Sequence, residues 1–131
     1  MPVLSGSTVI AFLYTTDVER CIRWYGDVLA LEARSRDEYG AELVVSGAPG
    51  AMVRVTALPS FTPSEHPVVG WDVPDMAAVG RALGDKGVRF TIYDGMGQDE
   101  HGICTSPDGK SRLAWFSDPD GNVLMLTETV R

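Results

Sequence analysis

Apolar residues crowd Thr8 to Thr15 (TVIAFLYT), rich in β-branched and aromatic types, and this run predicts a strand. The period then changes. Val18, Cys21, Ile22, Tyr25, Val28 and Leu29 recur at helical spacing and define one buried stripe, with Trp24 flanking it. Thr16-Asp17-Val18-Glu19 reads as a capping box, with Thr16 as the cap and Glu19 reaching back. Short strand-like runs follow near Leu31 to Arg36, near Glu42 to Ser46, and from Met52 to Ala57. Tyr39-Gly40 and Gly47-Ala48-Pro49-Gly50 punctuate them as turns. Leu58 to Pro67 (LPSFTPSEHP) carries three prolines and reads as a connector.

The pattern then starts again. Val68 to Val73 predicts a strand, and Asp75 after Pro74 predicts a helix cap. Met76, Val79, Gly80 and Leu83 give the helical stripe, which Gly87 closes. Val88 to Tyr93 reads as a strand, Asp94 to Glu100 as a polar loop, and Gly102 to Thr105 and Leu113 to Ser117 as strands around the turn Ser106-Pro107-Asp108-Gly109. Asp118-Pro119-Asp120-Gly121 is a second turn of the same chemistry, where proline pre-sets one angle and aspartate bonds its own backbone. Asn122 to Thr127 is the last strand. Setting Asp17 against Asp75 lays strand over strand and helix over helix. The expected class is α+β, with two βαβββ modules in one domain, 1–131: module 1 at about 5–58, a connector at 59–66, and module 2 at about 67–129.

Bulk properties narrow the field. The chain has 131 residues, 44% of them hydrophobic and 22% charged, enough for one domain with a real core. A net charge of -7 argues against nucleic acid as a partner, because phosphate contacts need a basic face. Met1 to Gly6 has no basic leader and no long apolar run, so no membrane partner and a cytoplasmic location are expected. Cys21 falls on the helical stripe and Cys104 has no histidine beside it that would mark a catalytic thiol.

The double βαβββ pattern, ending in Trp115-Phe116-Ser117-Asp118-Pro119-Asp120-Gly121-Asn122-Val123-Leu124-Met125-Leu126, resembles the vicinal oxygen chelate superfamily of glyoxalase, bleomycin-resistance and dioxygenase-like proteins. Asp17 to Leu29 is similar to the first helix of that superfamily, with Tyr25 at its usual aromatic position, and Val69 to Asp75 is similar to the opening of its second half. The resemblance implies a cavity between curved mixed sheets and pairing into a homodimer. It also implies a place for metal. Members that use one hold it seven residues before the helix-opening aspartate of each half, and seven residues after the first aspartate of the last turn. Here those positions are Ile10, Val68 and Met125. None offers a hard donor, so no metal and no other cofactor is expected. His66 and His101 lack ligand spacing and read as surface or loop histidines.

Strand alternation then assigns faces. Ile10, Phe12 and Tyr14 should line the cavity, with Val9, Ala11 and Leu13 toward the helix. Val68, Gly70 and Asp72, then Val123, Met125 and Thr127, should face inward from the second half, as should Met52, Arg54, Thr56 and Trp115, leaving Phe116 in the core. The ligand-binding set is therefore Ile10, Phe12, Tyr14, Arg54, Asp72, Trp115 and Met125. An aromatic and aliphatic lining with few polar handles suits a small aromatic or drug-like molecule held without turnover. The alternative is a glyoxalase-like lyase, isomerase or oxygenase, metal-free or with relocated ligands, for which Asp72 and Arg54 are the candidate acid–base pair.

Overall fold

The computed structural model describes residues 2–45 and 51–129. The turn expected at 47–50, and Ser46 at the end of its strand, lie outside the described residues. The chain divides into two compact units, Met1–Phe61 and Thr62–Arg131.

In the first unit, β1 (Val9–Thr15) leads into α1 (Val18–Leu29), followed by β2 (Leu31–Asp37), β3 (Gly40–Val45) and β4 (Ala51–Ala57). The sheet order is β1-β4-β3-β2, with β1 parallel to β4 and the other neighbours antiparallel. The core is the stripe read from the sequence. Cys21 and Tyr25 of α1 are buried, together with Leu13, Leu43, Val53 and Val55 from the sheet. Burying a side chain of this size stabilises by about 1.5–3 kcal/mol. Val9 departs from the expected helix-side packing. It opens its strand 71% exposed, while Ala11 and Leu13 are progressively more covered.

The cap of α1 is Asp17 rather than Thr16. The Asp17 backbone is extended, and its carboxylate accepts the Arg20 N–H at 3.1 Å. Thr16 Oγ1 instead accepts from the Arg20 guanidinium at 3.3 Å. The one-residue shift has a physical source: Thr15 Oγ1 takes the Asp17 N–H at 3.1 Å, so the chain turns one residue later than a capping box needs.

The second unit repeats the plan: β5 (Val69–Asp72), α2 (Met76–Asp85), β6 (Cys104–Thr105), β7 (Ser111–Ser117) and β8 (Val123–Thr129). Its order, β5-β8-β7-β6 with β5 parallel to β8, matches the first sheet strand for strand. Asp75 caps α2 as read, accepting the Ala78 N–H at 3.0 Å. Met76, Leu83, Ala114, Phe116, Leu124 and Leu126 are buried here. The protein is therefore α+β, with two four-stranded mixed sheets and one helix per module.

Val88 to Tyr93 is not a strand. One backbone bond, from Thr91 N–H to Trp115 O at 2.7 Å, ties it to β7. Val88 N–H bonds back to Leu83 O at 2.9 Å, and two further backbone groups are met by a side chain. The Gln98 amide accepts from Tyr93 N–H at 2.7 Å and donates to Thr91 O and Gly102 O, each at 2.8 Å. A single glutamine thus replaces a ladder partner, and only Cys104–Thr105 remains of the strand expected at Gly102–Thr105.

The Asp118–Gly121 turn is fixed from inside. Asp118 is 6% and Asn122 4% exposed. One carboxylate oxygen of Asp118 accepts the N–H groups of Asp120 and Asn122, and the other accepts from the Asn122 side-chain amide at 2.8 Å. Gly121 sits at φ +88, where a side chain is strained.

Candidate functional site

Each sheet has one face turned to its helix and one turned away. On the first sheet, the away face carries Ile10, Phe12 and Tyr14 along β1, and they are 42%, 57% and 43% exposed. The parallel ladder sets Ile10 beside Met52, Phe12 beside Arg54 and Tyr14 beside Thr56. Arg54 is in turn opposite Glu42 on β3, and the two form a loose ion pair at 3.9 Å. Phe61 approaches Tyr14 with ring centroids 6.2 Å apart. The result is an aromatic and aliphatic column bordered by one half-exposed guanidinium, which its carboxylate neighbour holds only weakly.

On the second sheet, the register places Met125 between Gly70 and Trp115, and Thr127 between Asp72 and Leu113. Asp72 accepts a hydrogen bond from Thr127 Oγ1 at 3.2 Å. Gly70 is required where it stands, because a Cβ there would lie 2.6 Å from the Met125 carbonyl oxygen. Trp115 is only 8% exposed, and the Tyr93 ring meets it edge-on at 5.6 Å. Tyr93 was not among the expected site residues. The sequence signal for it was present, since alternation from Phe90 sets Tyr93 on the opposite face, but nothing in the sequence paired it with Trp115.

Superposing Asp17 on Asp75 makes the two faces comparable position by position. Phe12 answers to Gly70 and Tyr14 to Asp72, and through the parallel ladders Arg54 answers to Met125. Arg54 and Asp72 lie in different units, and each already has a partner in its own sheet.

The three positions where the resemblance places a metal carry two branched hydrocarbons and a thioether. Ile10 and Val68 are 42% and 36% exposed and Met125 is half-buried. These residues offer no hard donor and do not fit a hard divalent ion. Among the described residues, no group of three or more His, Cys, Asp or Glu side chains is gathered to hold an ion. His66 is exposed, and His101 pairs at 3.5 Å with the exposed Glu100. Cys21 is buried in the core, and the Cys104 thiol is turned to the Met96 carbonyl at 3.2 Å. Asp108, in the other turn, is held below the ordinary carboxyl range by the Ser106 hydroxyl and then by the Lys110 N–H.

The topology, the repeated aspartate caps and the apolar open faces define a protein of the two-module βαβββ class. The model of the Glyoxalase/Bleomycin resistance protein/Dioxygenase superfamily matches residues 7–126, and the chain belongs to that superfamily. No curated protein sequence is similar enough to match. Among solved structures, the chain is similar to a member of the same superfamily from Sphaerobacter thermophilus DSM 20745, with 26% identity and a TM-score of 0.66 over 94% of this chain and 97% of that one. It is also similar to integron cassette protein HFX_CASS4 from the mobile metagenome of a Halifax Harbour sewage outfall, with 20% identity and a TM-score of 0.73 over 94% and 98%. A third is TnmS3, an antibiotic binding protein from Streptomyces sp. CB03234, with 19% identity and a TM-score of 0.70 over 98% of both chains. Among the described residues, no helix is long and apolar enough to cross a membrane.

Proposed function

We propose that this protein binds a small aromatic or drug-like organic molecule without a metal and without turning it over. The observation that carries the reading is the first sheet's open face. Phe12, the most exposed of its aromatics, stands with Ile10 and Tyr14 where a soluble protein gains nothing from exposing them. Replacement of the family's ligand positions by Ile10, Val68 and Met125 supports metal independence. TnmS3 lends support as a fold relative that binds an antibiotic. Arg54 is the polar handle, suited to a carbonyl or anionic group on the ligand. Asp72, Trp115 and Met125 are assigned to the same role on the second sheet. We further read the chain as one domain that pairs into a homodimer, as members of the superfamily do.

The enzyme reading has less support. Its candidate pair, Asp72 and Arg54, is engaged with Thr127 and Glu42 respectively. The test is a compound screen by tryptophan fluorescence, followed by calorimetry and an activity assay on each hit. Saturable binding with unchanged compound supports sequestration. Turnover that survives a chelator and fails in Asp72→Asn replaces it with a metal-free enzyme. Light scattering tests the dimer, and a mass near 14.2 kDa at micromolar concentration rules it out.

A further inference from the structure

A second concave site lies in the unit Thr62–Arg131, on the helix side of its sheet. It is a hollow of about 560 Å³ between α2 and the segment after it. That volume falls within the range of about 300–1,000 Å³ typical of small-molecule sites. Its lining includes the apolar side chains of Phe90, Ile92 and Ile103. The Phe90 ring is anchored against Phe116 of the core, with centroids 6.2 Å apart. The helix wall is low because Gly80 and Gly84 form it. A Cβ at Gly80 would come within 3.2 Å of the Phe90 ring, whereas one at Gly84 would meet nothing within 4 Å.

The rim carries charge. Arg81 and Arg89 both line the hollow. Neither guanidinium has a hydrogen bond or ion pair among the described residues. In a chain of net charge -7, two exposed arginines beside one hollow, neither paired with a carboxylate, are available to an anion. The hollow's acid, Glu100, is 3.5 Å from His101.

We propose that this hollow binds a small organic anion with a flat apolar body, its ring on Phe90, Ile92 and Ile103 and its carboxylate on Arg81 and Arg89. The site is separate from the open sheet faces and does not depend on their function. Guanidinium–carboxylate pairing supplies the selectivity, because a neutral isostere loses the charge-assisted bonds but keeps the ring contact.

The probes are 2-naphthoate and its neutral analogue 2-naphthamide, titrated into the full chain by calorimetry. Naphthoate should bind at least tenfold more tightly than the amide. Arg81→Met with Arg89→Met should abolish that preference. Gly84→Leu, which fills open space on a helix, should abolish naphthoate binding without lowering the melting temperature. Every titration is run on the Phe12→Ala, Arg54→Met chain, so that the open face of the first sheet, which suits the same kind of ligand, does not contribute. Equal affinity for the two probes, or undiminished binding when Gly84→Leu is added, overturns the proposal. So does a change in oligomer mass in Gly84→Leu, since a second copy of the chain would then be the occupant.

Discussion

Phe12 and Arg54 stand side by side at directly paired positions of two parallel strands, on the face of their sheet turned away from α1. Hydrophobic contact and guanidinium recognition are therefore available to one ligand at one place. Phe12 is 57% exposed, so Phe12→Ala should leave the melting temperature within a degree or two and weaken binding of an aromatic ligand by roughly tenfold. Unfolding of this variant would show that the ring is structural.

Arg54→Met keeps most of the side-chain bulk and removes the charge. It should reduce affinity for ligands that carry a carboxylate or carbonyl group and leave purely hydrocarbon ligands unaffected. Calorimetry on a matched ligand pair reads the difference. A uniform loss across both ligands would mean that Arg54 acts by packing.

Protein purified without a chelator or a histidine tag should contain well under one equivalent of Ni, Zn, Fe, Mn or Co by elemental analysis. Ile10, Val68 and Met125 are the reason. A full equivalent that disappears in His66→Ala or His101→Ala would show relocated ligands.

Gly70→Ala should destabilise the fold by about 1–3 kcal/mol, because the new methyl must be accommodated against the Met125 carbonyl in a parallel ladder. Denaturant unfolding measures it. Gly84→Ala serves as the control. Its Cβ meets nothing within 4 Å, and alanine should stabilise a helix relative to glycine by roughly 0.5–1 kcal/mol.

Gln98→Ala removes the group that serves the backbone of Thr91, Tyr93 and Gly102 and should cost about 1–3 kcal/mol. Hydrogen exchange at the Tyr93 amide should accelerate. Gln98→Glu keeps an acceptor for that amide but loses both donors, so Tyr93 should stay protected while stability still falls. Unchanged exchange in Gln98→Ala would show that the segment is held by other means.

What the sequence determined by itself was local and periodic. The stripe from Val18 to Leu29 had to bury Cys21 and Tyr25, because helical spacing leaves one apolar face. The alternation along β1 had to send Phe12 one way and Leu13 the other. The repeat was legible because Asp17 and Asp75 each open a helix after a strand. The last turn was legible because aspartate, proline and glycine each have a local reason to sit where they do. Only the tertiary structure decided what depends on groups distant in sequence or on competition between near-equal partners. Thr15 claimed the Asp17 amide and moved the cap by one residue. Gln98 satisfied a backbone that pattern alone assigned to a ladder, since strand propensity does not say which hydrogen-bond partner arrives first. Tyr93 met Trp115, and two arginines came to share a hollow with Phe90, because folding brings residues from different segments onto one surface.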